Sequence, residues 1–107
     1  MKITAEWFKE RGGLHDARVL DAKVEATTVH IRINDEWANE QEPGDQPSPG
    51  TLVFDVADIL AGDLATLAGG WLSEARYQGS EVVFDFCDRD RVVIKAQAAV
   101  WEPDRAS

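Results

Sequence analysis

The chain has 107 residues, 44% hydrophobic and 29% charged, with 20 acidic against 11 basic side chains and a net charge of −9. That size and balance suit one folded domain over residues 1–107, with enough apolar content to build a core without staples. The negative charge repels nucleic-acid phosphates and anionic lipid. No apolar run reaches the roughly 20 residues of a membrane-spanning helix and the N-terminal MKITAEWFKERGG lacks a secretory h-region, so neither nucleic acid nor membrane is an expected partner.

The first element is a short helix beginning near Ala5, with Thr4 as N-cap, Ile3 and Phe8 placed to form a hydrophobic staple, and Gly12-Gly13 as its stop. Residues 15–34 change to period two. The cleanest hairpin has Ala26-Thr27 at its tip and pairs Val24 with Val29, Ala22 with Ile31 and Leu20 with Ile33. Ala17 and Val19 fall out of phase with Leu20, which predicts a β-bulge near Val19-Leu20 and turns His15 inward.

Residues 35–50 (DEWANEQEPGDQPSPG) carry three prolines and two glycines, which reads as a long loop. The next strand covers residues 51–57, with Leu52, Phe54 and Val56 on one face, and Asp63 is placed to cap a helical turn stopped by Gly69-Gly70. A three-strand meander follows: residues 71–78, a Gly79-Ser80 turn of type II′, residues 81–87, a turn at Asp88-Arg89-Asp90, and residues 91–101 as one strand. Val82, Phe84 and Phe86 are expected to face Ala96, Ile94 and Val92. Residues 22–33 lie over 75–86 at a constant offset of 53. Any two amphipathic hairpins look alike at period two, and the alternative is a pseudo-duplicated six-strand architecture. The expected fold class is α+β: a short N-terminal helix packed on a mainly antiparallel six-strand sheet of two meander units, able to curl toward a sandwich.

Chemistry-bearing patterns are sparse. His15-Asp16 invites a metal or catalytic reading, yet adjacent strand residues point to opposite faces, and His30 lies roughly 20 Å away at about 3.3 Å per residue. A structural histidine is the expectation. Cys87 reads as a small residue on a strand face; being the lone cysteine, it forms no intrachain disulfide and suits a reducing cytoplasm. Phosphate-cradling glycine motifs and nucleophile elbows are absent from the sequence, and Asp88 and Asp90 lack the remaining ligands of a calcium loop, so no catalytic residue, cofactor or metal site is assigned. Trp7, Trp71 and Trp101 are expected in the core. Trp37, within the polar loop, reads as a lid over the sheet or as an anchor for a partner.

The charge is unevenly placed. Residues 34–74 hold nine acids and no lysine or arginine, while the rest of the chain holds 11 of each sign. A basic protein partner is therefore the expected ligand, met by Asp35, Glu36, Trp37, Glu40, Glu42 and Asp45 of the loop.

The run Gly13-Leu14-His15-Asp16-Ala17-Arg18-Val19, followed by an amphipathic hairpin and a Gly-Thr-Leu-Val-Phe strand at 50–54, resembles the opening of small bacterial immunity proteins of polymorphic-toxin systems and related domains. The likeness centres on Leu14 to Ala17, with Leu14 where the pattern has an aromatic. The resemblance implies a non-catalytic protein that binds a toxin domain. Two other classes stay open: a small-molecule-binding protein or minor enzyme with a pocket under the long loop, and a structural or assembly protein that pairs, for example as a homodimer, through an open sheet edge.

Overall fold

A computed structural model describes residues 2–10, 12–35 and 49–103. Helix α1 (Ala5–Glu10) starts as the sequence predicts: Thr4 Oγ1 accepts the Trp7 N–H at 3.2 Å, and Ile3 and Phe8 are buried. A 3-10 turn at Gly12–Leu14 leads into β1 (Arg18–Glu25) and β2 (Thr28–Asn34), then β3 (Gly50–Asp55) and β4 (Asp58–Ala61). A second 3-10 turn, Leu64–Thr66, is capped by Asp63 as expected, its carboxylate accepting Ala65 N–H at 3.0 Å. Strands β5 (Leu72–Gln78), β6 (Glu81–Phe86), β7 (Val92–Lys95) and β8 (Ala98–Pro103) complete the chain.

The strands form two antiparallel four-strand sheets, ordered β1-β2-β3-β8 and β4-β7-β6-β5, rather than a single six-strand sheet. Their apolar faces meet in one core, where the Phe54 and Phe84 rings stand edge to face at 6.2 Å. Two departures from the expected strands produce this. The run 91–101 is two strands: Val92, Ile94 and Ala96 are buried at even positions, Ala99 and Trp101 at odd ones, and the change of phase carries the chain from one sheet to the other. The same happens between β3 and β4, where Val56 takes φ 49 and turns out to solvent instead of joining Leu52 and Phe54. The crossovers touch, with Gln97 N–H donating to Asp55 O at 3.1 Å.

Other corrections are local. The bulge falls between Val19 and Asp21, so Val19, not Leu20, pairs with Ile33. Val82 opposes Ile94 and Phe84 opposes Val92, two residues from the expected register, because the 87–91 connection is longer than a three-residue turn. Arg89 fills that connection, donating to the Thr66 and Ala68 carbonyls and to the Asp88 carboxylate. Cys87 lies exposed just past β6.

The offset of 53 is realised in the first two strands of each unit, β1-β2 and β5-β6, and becomes 40 in the next two, because the link from β2 to β3 is longer than that from β6 to β7. Two four-strand units, β1 to β4 and β5 to β8, are related by a pseudo-two-fold axis, and each gives its fourth strand to the other's sheet. The bulge at 19–21 has its counterpart at 72–74. Val19 N–H donates to Gly70 O while Leu72 N–H donates to Ala17 O, both at 2.9 Å. Asp16 N–H reaches Leu72 O and Gly69 N–H reaches Val19 O, with Asp16 and Gly69 both at positive φ. At the opposite end each hairpin tip holds the crossover of its own unit: Ala57 N–H donates to Thr27 O, and Ala96 N–H to Ser80 O.

Candidate interaction surface

The pseudo-two-fold leaves two gaps at the sides of the core, one between β8 and β5 and one between β4 and β1. The first is filled. Lys2 bridges Val100, Ile3 N–H donates to Ala99 O at 2.9 Å, and α1 packs on β5, with the buried Trp7 ring 5.4 Å from Trp101 and Phe8 6.5 Å from Tyr77. At the second gap, among the described residues, the turn at Leu64–Thr66 packs on β1. The β1 and β4 strands carry exposed apolar side chains: Val24 is 53% exposed, Leu60 51%, and Ile59 and Leu20 stand partly in solvent as well. Asp55, Asp58 and Asp63 are exposed along residues 55–63, which contain no lysine or arginine, although Lys95 lies across the ladder from Asp58.

Strand β4 pairs with β7, which sets Ile59 opposite Ile94, and a bulge follows between Ile59 and Ala61, where Leu60 stands exposed. Gly62 ends it at φ 83, in a place where a Cβ would lie 2.6 Å from Arg91 O. Among the described residues no strand pairs with the outer edge of β4. Its backbone groups and its apolar side chains are therefore presented together, the combination that strand addition by another chain requires.

No family model, curated protein or solved structure matches the chain. The assignment of a site therefore rests on the geometry of its own residues.

His15 is not inward. It sits in a turn with Asp16 at φ 66, which swings both side chains to the same place, so the opposite-face argument against a His-Asp pair does not hold: Nε2 lies 3.3 Å from Asp16 Oδ2, and Nδ1 lies 3.1 Å from Ser73 O. The cluster continues into Trp71, 38% exposed rather than buried, whose indole N–H donates to Asp16 Oδ1 at 3.1 Å while Arg18 stacks 4.7 Å above its ring. These contacts join the two units where Arg18 bridges Trp71. They clasp the two units together.

Of the loop residues expected to meet a partner, Asp35 is buried, which removes it from any exposed acidic surface, and Glu36, Trp37, Glu40, Glu42 and Asp45 lie outside the described residues. A cleft of about 440 Å³ opens between α1 and β5, walled by Phe8, Lys9, Glu74, Arg76 and Tyr77, and His15 is not among its walls. Its Arg76 is engaged with Asp85 at 2.6 Å, and Arg91 holds the other Asp85 oxygen at 2.6 Å. Burial pushes the Asp85 carboxyl up, but the two guanidinium hydrogen bonds outweigh it and hold the carboxyl below its ordinary range. Arg76 is correspondingly raised, chiefly by that hydrogen bond. Among the described residues no group of three or more His, Cys, Asp or Glu could hold a metal ion, and no helix is long and apolar enough to cross a membrane.

The β4 surface was missed at the sequence level because Asp58-Ile59-Leu60-Ala61 is too short to show a period. The available signal was its place: an apolar pair between acids, just after the change of phase at Val56.

Proposed function

We propose that the chain is a non-enzymatic, acidic protein-binding module for a basic protein partner, immunity-like in the sense that the Leu14 to Ala17 resemblance implies. The observation that supports this best is the exposed apolar edge at β4, where Ile59 and Leu60 lie between exposed Asp58 and Asp63 along the chain. Apolar side chains supply contact area, and the acidic rim speeds encounter with a cationic surface and disfavours anionic ones. Glu36, Glu40, Glu42 and Asp45 add charge to the same central stretch in this reading, and Trp37 adds an aromatic anchor.

The test is quantitative binding. A protein captured on the immobilised chain is purified and its affinity measured at low and high salt, with the wild-type chain and with one carrying Asn or Gln at Glu36, Glu40, Glu42, Asp45, Asp55 and Asp58. A basic partner whose affinity drops about tenfold or more with either change supports the reading. Capture of partners indifferent to both changes overturns it.

A further inference from the structure

The two gaps are counterparts, so the filled one shows what kind of segment the other accommodates. Register fixes the equivalences. Ala99 opposes Phe54, which opposes Val29; Ile59 opposes Ile94, which opposes Val82. Ile59 thus takes the place of Ala99, the residue whose carbonyl accepts the Ile3 N–H. Val24 takes the place of Tyr77, against which Phe8 packs, and Ala22 that of Ala75. Burial follows the presence of residues 2–10: Ala99 is 2% exposed and Ile59 36%, while Ala75 is buried and Ala22 only half-buried.

Resting on the protein-binding reading above, we propose that an extended aliphatic segment of the partner, flanked by lysine or arginine, adds as a strand to the outer edge of β4, which pairs with no other strand among the described residues, and covers Val24, Ile59 and Leu60, as residues 2–3 of this chain cover β8. The occupant is aliphatic because the aromatic shelf is missing: where Trp101 stands opposite Leu52 and receives Trp7, the corresponding place opposite Val92 is taken by Gly62. Its flanks are cationic because β4 opens on exposed Asp58 and is followed by exposed Asp63, with no lysine or arginine between them. A second copy of the chain fits poorly, since β4 paired with β4 sets these acids against each other, and residues 2–10 of each copy already fill their own groove.

The probe is a synthetic heptapeptide, Lys-Val-Lys-Ile-Lys-Val-Lys, compared with the same peptide N-methylated at alternate residues, which keeps its charge but cannot donate along one edge. Each is titrated into the full chain and followed by amide NMR shifts. Expected are shifts centred on residues 20–25 and 58–61, with the N-methylated peptide weaker by about tenfold or more, and a similar loss for Leu60→Lys and Val24→Lys. Both variants change exposed residues, and an unaltered thermal midpoint shows that they fold. Equal binding of the two peptides, or shifts elsewhere, overturns strand addition while leaving the basic-partner reading to its own capture test. Absence of binding also overturns it. Shifts at 58–61 that grow with protein concentration without peptide assign the edge to a second copy and overturn the proposal.

Discussion

Arg18 and Trp71 face each other across the joint of the two units, and each occupies in its own unit the position that the other occupies in the second. A bridge between counterparts has no mate elsewhere, so this contact lies on the pseudo-two-fold axis. The Arg18 guanidinium and the Trp71 ring give the joint a cation–π contact, and the Trp71 indole ties it to Asp16.

Trp71→Phe keeps the ring under Arg18 and removes only the N–H bond to Asp16, so a loss of about 0.5–1.5 kcal/mol is expected in urea unfolding followed by circular dichroism. Trp71→Ala removes the ring as well and costs about 1 kcal/mol more. Equal losses for the two variants would show that the ring contributes nothing at this joint.

Gly50 carries β3 past Trp101 so closely that a Cβ would lie 2.5 Å from the indole Cζ2. Gly50→Ala is therefore expected to cost about 1–3 kcal/mol through overpacking. Gly79 has open space but φ 65, so Gly79→Ala is expected to cost about 1 kcal/mol from backbone strain alone. Chemical denaturation of the two variants separates crowding from strain.

Val56 is β-branched, holds φ 49 and is half exposed, a conformation that costs of order 1–3 kcal/mol. Val56→Asn, which tolerates the left-handed region, is expected to raise stability by about 1 kcal/mol in the same assay.

Asp85 is held below its ordinary carboxyl value of 3.8 despite the opposing effect of burial, because Arg76 and Arg91 hydrogen-bond its charged form. A carboxyl lowered by folding stabilises the native state above its unfolded value, and that stabilisation is lost as pH falls through the lower folded value. Asp85→Asn is thus expected to cost about 1 kcal/mol at pH 7 and progressively less below about pH 4, read from unfolding free energies across pH.

Much of the fold was legible where side-chain period and capping act locally. Thr4, Asp63, the Ala26-Thr27 tip and the bulge at Val19 all stand as the sequence indicates. The division into two sheets was not, because Val56 and Ala96-Gln97 lie inside runs that read as continuous strands, and only the switch of buried residues from even to odd positions marks the crossing. His15 turns outward for a related reason: the period of β1 reads as continuing back through Asp16, whose positive φ ends it. The acidic character of residues 34–74 was plain, but the exposed edge of β4 depends on the crossover that carries it into the other sheet and so on no local pattern.

The exchange of fourth strands also governs how the chain can be made. Sheet β1-β2-β3 stays unfinished until β8 has been synthesised, so during translation the edge of β3 waits open while some forty residues are added, on the order of 2–8 s at ribosomal rates. Neither half can be released as a finished unit, and a circular permutant opened at the Gly79-Ser80 tip would still have to assemble both sheets at once. Folding is therefore all or nothing, with long-range strand pairing as its slow step.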